Sequence, residues 1–249
     1  MEVIKGPVEN KTPKVMIYGC SGVGKTTLAA HMKNPIIIDL EGGSDLIGDD
    51  PKLANVARTP LVTNVETFQQ ILIDLLVDGK KKERKYDTIV IDSIDWLVRY
   101  YVEKTAGIGK GTMANTLNKS NGGYGNGKQV LENYIRTSLL QTLRILNNQG
   151  YAICLVAHAN QKTLLNPDGT NEVRISPKID INTMEIFVEW CDEVFLLKKD
   201  TDGTRTLLVE ADNAAVAKNR LGLTGEIVLD DEFDINKLLN VKVTNKKEK

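Results

Sequence analysis

Apolar residues along the chain follow two alternating rhythms. The runs "KVMIYG" (14–19), "PIIIDL" (35–40), "YDTIVID" (86–92) and "YAICLVAH" (151–158) are short, nearly continuous and rich in β-branched residues. Such runs predict strands covered on both faces of a sheet. Between them, "NVETFQQILIDLLVDG" (64–79) sets Val65, Phe68, Ile71, Leu72, Leu75 and Leu76 on one helical stripe and stops at Gly79. "QVLENYIRTSLLQTLRILNNQG" (129–150) predicts a longer amphipathic helix ended by Gly150. Later the rhythm changes, and "EVFLLKKDTDGTRTLLVEA" predicts a hairpin turning near Asp202 and Gly203. Strand–helix alternation followed by a hairpin predicts an α/β fold. Its mostly parallel central sheet is flanked by helices and has antiparallel strands at one edge.

Composition bounds the function. The chain has 249 residues, enough for one large domain or two small ones. We read 14–240 as one core, with a short N-terminal arm (1–13) before it and a charged tail (241–249) after it. Formal net charge is −1, so any nucleic-acid surface is local rather than global. The "KKKERK" run (80–85) reads as an exposed loop. Cys20, Cys154 and Cys191 are odd in number and in no metal-like pairing, as expected of reduced thiols in the cytoplasm. No apolar run approaches a membrane span, and the first residues do not form a signal peptide. A cytoplasmic location without a membrane partner is the expectation.

The strongest chemical signal is "GCSGVGKT" (19–26), which fits G-x-x-x-x-G-K-[ST] and lies between a strand and a helix. Its glycines let successive backbone N–H groups turn toward a phosphate, and the helix start adds its positive end. Gly19, Cys20, Ser21, Gly22, Val23, Gly24, Lys25, Thr26 and Thr27 are the expected nucleotide cradle. Lys25 would reach the β- and γ-phosphates, and the Thr26 hydroxyl would bind Mg²⁺. A second metal-side carboxylate is needed on a nearby strand, and "TIVIDSIDWL" offers Asp92. An aspartate at the end of a buried strand is costly without a cation or donors, so Asp92 reads as a partner of Mg²⁺ through water.

Asp92 is followed by Ser93, where many ATPases carry their water-activating glutamate. The base must then come from elsewhere. "IIIDLEGG" places Glu41 just past the carboxyl end of a strand, the edge where ligands bind in such sheets. Glu41 is the expected base that orients the attacking water, and Asp95 is the alternative. Asp39 is expected to hydrogen-bond locally.

In order, "GCSGVGKTT", "IIIDLEGG", "TIVIDSIDWL", "LVAHANQK" and "AVAKNR" resemble the RecA-type ATPase core over roughly residues 14–228. The look is closest to small phage RecA-like annealing proteins of the Sak type, AAA-domain nucleotide-binding proteins of phage. The resemblance implies an ATP- and Mg²⁺-dependent ATPase stimulated by DNA. It implies a homo-oligomer on single-stranded DNA in phage-type recombination or annealing, with a single-strand-binding protein as a further partner and the host cytoplasm as its location. It makes His158 the γ-phosphate sensor, and Lys218 and Arg220 the cations that reach a neighbouring subunit's nucleotide. Two segments are the expected DNA contacts. The first is the glycine-rich 107–128, with Lys110, Lys119, Tyr124 and Lys128. The second is 160–178, two extended arms around "NPDG", with Lys162, Arg174 and Lys178. A ring-forming motor (helicase, helicase loader or packaging ATPase) and a nucleotide-dependent interaction module with little turnover are the alternatives.

Overall fold

The computed structural model describes residues 12–44, 53–107, 117–165, 171–212 and 214–240. The chain opens with β1 (Lys14–Gly19), α1 (Lys25–Ala30), β2 (Pro35–Asp39), β3 (Ala57–Arg58) and α2 (Val65–Asp78). It continues through β4 (Thr88–Asp92), α3 (Ile94–Ala106), α4 (Asn126–Asn133), a π-helical turn (Tyr134–Leu139) and α5 (Leu140–Asn148). Then come β5 (Ala152–Leu165), β6 (Asn171–Pro177), α6 (Ile181–Trp190), β7 (Glu193–Lys199), β8 (Arg205–Leu208), β9 (Glu226–Val228) and α7 (Ile235–Leu238).

The strands lie in the order β3-β2-β4-β5-β1-β7-β8-β9, and β6 pairs with β5 off this path. From β3 to β7 every pairing is parallel, while β7, β8 and β9 are joined antiparallel. The expected α/β class, with its antiparallel edge, is what forms. Strand periodicity divides the core between two faces. Met16 and Tyr18 pack with Phe68, Leu97 and Leu143 on one side. Val15 and Ile17 pack with Leu28, Phe195 and Ile235 on the other. Helix α2 starts where Asn64 Oδ1 accepts the Thr67 N–H at 2.8 Å, and it ends at Gly79.

Register sets the working edge. Asp39 lies opposite Asp92, Asp92 opposite Val156, and Gly19 opposite His158. The carboxyl ends of β2, β4 and β1 therefore lie at one level, beside Val156 to His158 of β5, which runs on beyond them.

Some elements differ from expectation. The helix predicted over 129–150 begins earlier, at Asn126, and passes through the π turn between α4 and α5. Lys128 consequently stands in the first turn of a helix and not in a free loop. The described part of the glycine-rich segment before it, 117–125, is a series of turns. The arms around "NPDG" are strands: the far half of β5 pairs antiparallel with β6, with Lys162 directly opposite Arg174. The hairpin between β7 and β8 turns at Gly203, whose N–H meets the Asp200 carbonyl at 3.0 Å. Lys110 and the far ends of the expected arm and tail, 1–11 and 241–249, lie outside the described residues. Among the described residues no helix is long and apolar enough to cross a membrane.

Candidate nucleotide site

The P-loop leaves β1 at Gly19. A Cβ there would sit 2.4 Å from the Leu197 carbonyl oxygen, so the loop can pass β7 this closely only with glycine. Gly24 takes φ +100 to swing the chain into α1, a conformation that side chains rarely adopt. Lys25 follows, and its ammonium folds back over the loop to the Cys20 carbonyl at 2.8 Å. Lys25 is 7% exposed. Burial holds its pKa below the ordinary lysine value, against the pull of Asp92, Glu41 and Asp95.

In the next residue, the Thr26 hydroxyl donates to Asp92 Oδ2 at 2.6 Å. Asp92 is 5% exposed at the end of β4. Desolvation pushes its carboxyl up to about 6; the Thr26 bond works against this, while Glu41 and Asp39 add to it. Hydroxyl and carboxylate together form a pair of hard oxygen donors, and the carboxylate is short of positive charge. That is the chemistry Mg²⁺ takes when it arrives with nucleotide phosphates and keeps most of its water. Among the described residues no cluster of three His, Cys, Asp or Glu could hold a metal by itself.

The two carboxylates of "DLE" have separate work. Asp39 closes the turn after β2. Its Oδ1 accepts the N–H groups of Glu41 (3.1 Å) and Gly42 (2.7 Å), and its Oδ2 accepts the N–H (3.3 Å) and hydroxyl (2.6 Å) of Ser44. This is a side-chain clasp that fixes the turn. Glu41, held by that clasp, points back over the sheet edge until Oε1 lies 3.3 Å from Nε2 of His158.

His158 is gripped from the other side by Asp95, in the first turn of α3. Asp95 Oδ1 accepts the His158 backbone N–H at 3.1 Å, and Oδ2 lies 3.0 Å from Nδ1. The Asp95 bond lifts the imidazole above its ordinary value, against burial. Burial pushes Asp95 upward, but the His158 donors outweigh it and hold the carboxyl below its usual range. Flanked by two carboxylates, the ring is set to carry its proton and donate from both nitrogens. The Asp95–His158–Glu41 chain is the part of the site that sequence reasoning misses, since the sequence offers Asp95 only as an alternative base.

A second unforeseen neighbour is Arg205, the first residue of β8. Its Nε donates to the Val23 carbonyl at 2.9 Å, and its guanidinium lies against Gly24.

The remaining expected residues lie elsewhere. Lys218 is engaged within its own chain. Its ammonium donates to the carbonyls of Val188 (2.8 Å), Glu189 (2.8 Å) and Cys191 (2.7 Å), capping the end of α6 within its own chain. All three of its protons are engaged there. Arg220 is more open. Its Nη1 meets Asp192 at 3.0 Å, with the side chain 57% exposed. Both lie beside the start of β7, the edge opposite the P-loop. Lys119, Tyr124, Lys128, Lys162, Arg174 and Lys178 are all exposed. In the 80–85 run, Arg84 spans Tyr86, Asp87 and Gln149 and so serves the fold.

Sheet and site together define a P-loop nucleotide-binding core. A family model described as an AAA domain matches residues 11–221, and the chain belongs to that family. The SPbeta prophage-derived uncharacterized protein YorG of Bacillus subtilis (strain 168) is 24% identical over 190 residues. That match takes in 76% of this chain and 53% of YorG, so the chain spans about half the length of this relative. The crystal structure of the RadB recombinase is 16% identical, with a TM-score of 0.47, over 86% of this chain and 85% of that one.

Proposed function

We propose that the protein is a Mg²⁺-dependent ATPase with a RecA-like core whose turnover is coupled to single-stranded DNA. The observation that carries this is the meeting of Lys25, Thr26, Asp92, Glu41 and His158 at the carboxyl ends of adjacent strands. Gly19 to Thr27 cradle the phosphates, and Lys25 turns from the Cys20 carbonyl to the β- and γ-phosphates. Thr26 and Asp92 hold Mg²⁺, which neutralises phosphate charge when bound. Glu41 takes the proton of the attacking water. In the free protein its carboxylate is occupied by the His158 ring, so the base is oriented and restrained together. The γ-phosphate is a competing acceptor for the His158 N–H, and its arrival releases Glu41 to the water.

His158 also begins the stretch of β5 that continues into the ribbon with β6. Like charges directly opposite, as Lys162 and Arg174 are, destabilise a two-stranded ribbon unless a polyanion lies across them. Strand continuity links that ribbon to the nucleotide, which supports the DNA reading. Lys119, Tyr124, Lys128 and Lys178 are further exposed contacts for the same strand, with Lys110 beside them in sequence. Arg220 remains the candidate cation for a neighbouring subunit in a homo-oligomer. The prophage origin in YorG's name supports a phage setting, with recombination or annealing in the host cytoplasm and a single-strand-binding protein as partner.

The test is phosphate release from Mg-ATP, with and without single-stranded DNA, in the wild type and in Lys25→Ala. Lys25→Ala should lose most ATP binding, and wild-type turnover should rise with DNA. Binding without phosphate release identifies an interaction module instead. Turnover accompanied by ATP-driven strand displacement identifies a motor.

A further inference from the structure

Apart from the P-loop itself, with Lys25 and Thr26 at the start of α1, the groups placed in the phosphate chemistry lie on one flank of β1. Asp92, Glu41 and His158 come from β4, β2 and β5, all on that side of the strand order. With the terminal phosphate there, the nucleoside end of the ligand leaves over the opposite flank, toward β7 and β8. One described cation reaches the P-loop from that flank, and it is Arg205. Residue 205 pairs with Lys199 at the carboxyl end of β7, level with the working edge. From β8, two strands or about 10 Å from β1, its side chain crosses the end of β7. There Nε donates to the Val23 carbonyl at 2.9 Å. A Cβ on Gly24 would meet Nε at 3.2 Å and Cζ at 3.8 Å, so the guanidinium fills the space that this glycine leaves.

The Nε bond fixes the plane of the group. Its two terminal nitrogens make no protein hydrogen bond among the described residues, and no carboxylate there pairs with it. A planar, oriented, unpaired guanidinium at the lip of a phosphate loop offers a flat cationic face to an aromatic ring. On the reading of the site given above, we infer that Arg205 forms the base-binding wall of the nucleotide site, its guanidinium stacking on the base.

Two probes separate this from a role in merely holding the loop: Mg-ATP by calorimetry, and inorganic tripolyphosphate by displacement of a fluorescent ATP analogue up to millimolar concentration. Arg205→Ala should weaken ATP binding about 5-fold, the upper end for a cation–π contact at an exposed residue such as this one. Tripolyphosphate, which has no base, should change less than about 3-fold. Arg205→Lys keeps the charge but not the plane, and should recover less than half of the loss in free-energy terms. Equal losses for both probes would overturn the proposal, leaving Arg205 as a prop for the loop. So would no loss for either. Lys25→Ala serves as the control: if it weakens neither probe, the nucleotide-site reading fails first, and that result is distinct from any outcome at Arg205. Thermal melts of each variant confirm that it folds.

Discussion

Asp92→Asn should make the nucleotide-free protein more stable while destroying its chemistry. Asp92 is buried at the end of β4, and burial holds its carboxyl at about 6 instead of the ordinary 3.8. The folded chain thus binds this proton more tightly than the unfolded one. Stability is lost as pH rises from about 4 to about 6, and the full cost applies above that. At about 1.4 kcal/mol per pH unit, the cost near pH 7.5 is about 3 kcal/mol. Asparagine removes the charge and still accepts the Thr26 hydroxyl, though about 1 kcal/mol less well than a carboxylate. A net gain of about 1–2 kcal/mol remains, which for a chain of this size raises the melting temperature by roughly 2–8 °C. The assay is thermal unfolding in EDTA at a series of pH values. The advantage of the variant should be present at pH 7.5 and shrink toward pH 4. Mg²⁺-dependent phosphate release should be gone. A variant that melts at or below the wild-type temperature at pH 7.5 would refute the argument that this carboxylate sits uncompensated without its cation.

The Asp95–His158 pair gives a pH signature of its own. The imidazole is raised above its ordinary value of roughly 6.5, so its contribution is present below that value and is lost as pH rises through the higher, folded one. The melting-temperature gap between wild type and Asp95→Asn should therefore narrow as pH rises above the ordinary imidazole value; a gap that does not change with pH on the alkaline side would contradict a raised, titrating ring. Replacing Lys162 and Arg174 together by Ala should weaken single-strand binding and lower the slope of log affinity against log salt by about 1.4, about 0.7 for each lost phosphate contact on single strands. An unchanged slope would remove the ribbon from the DNA surface.

Much of this architecture was legible in the chain. Buried parallel strands must be apolar on both faces, so β1, β2, β4 and β5 stand out as unbroken runs. The P-loop is local in sequence, and so is its strand–helix setting. Asp92 stood out because a carboxylate at the end of a buried run is costly without a partner, and Glu41 because it follows a strand end while Ser93 occupies the position after Asp92. What could not be read depends on which strands become neighbours. His158 meets Glu41 and Asp95 only because β5 lies between β4 and β1, and hydrophobic rhythm does not encode that order. Arg205 comes from a hairpin whose residues look like any solvent-facing edge, and its reach across β7 is a property of the folded sheet. Lys218 misled for the same reason. The resemblance made it a cation for a neighbouring subunit, yet the carbonyls of Val188, Glu189 and Cys191 at the end of α6 draw its ammonium inward.

The central claim is that a glutamate two residues past the end of β2, and not one after Asp92, drives hydrolysis. Single-turnover phosphate release from Mg-ATP by Glu41→Gln, with binding measured in parallel, tests it most directly. Glutamine keeps the size of the side chain and its hydrogen bonding but cannot accept the water's proton. ATP affinity should stay within about 3-fold of wild type while phosphate release slows at least about 100-fold. Wild-type release rates from Glu41→Gln, with Asp95→Asn inactive, would contradict the account and move the base to Asp95.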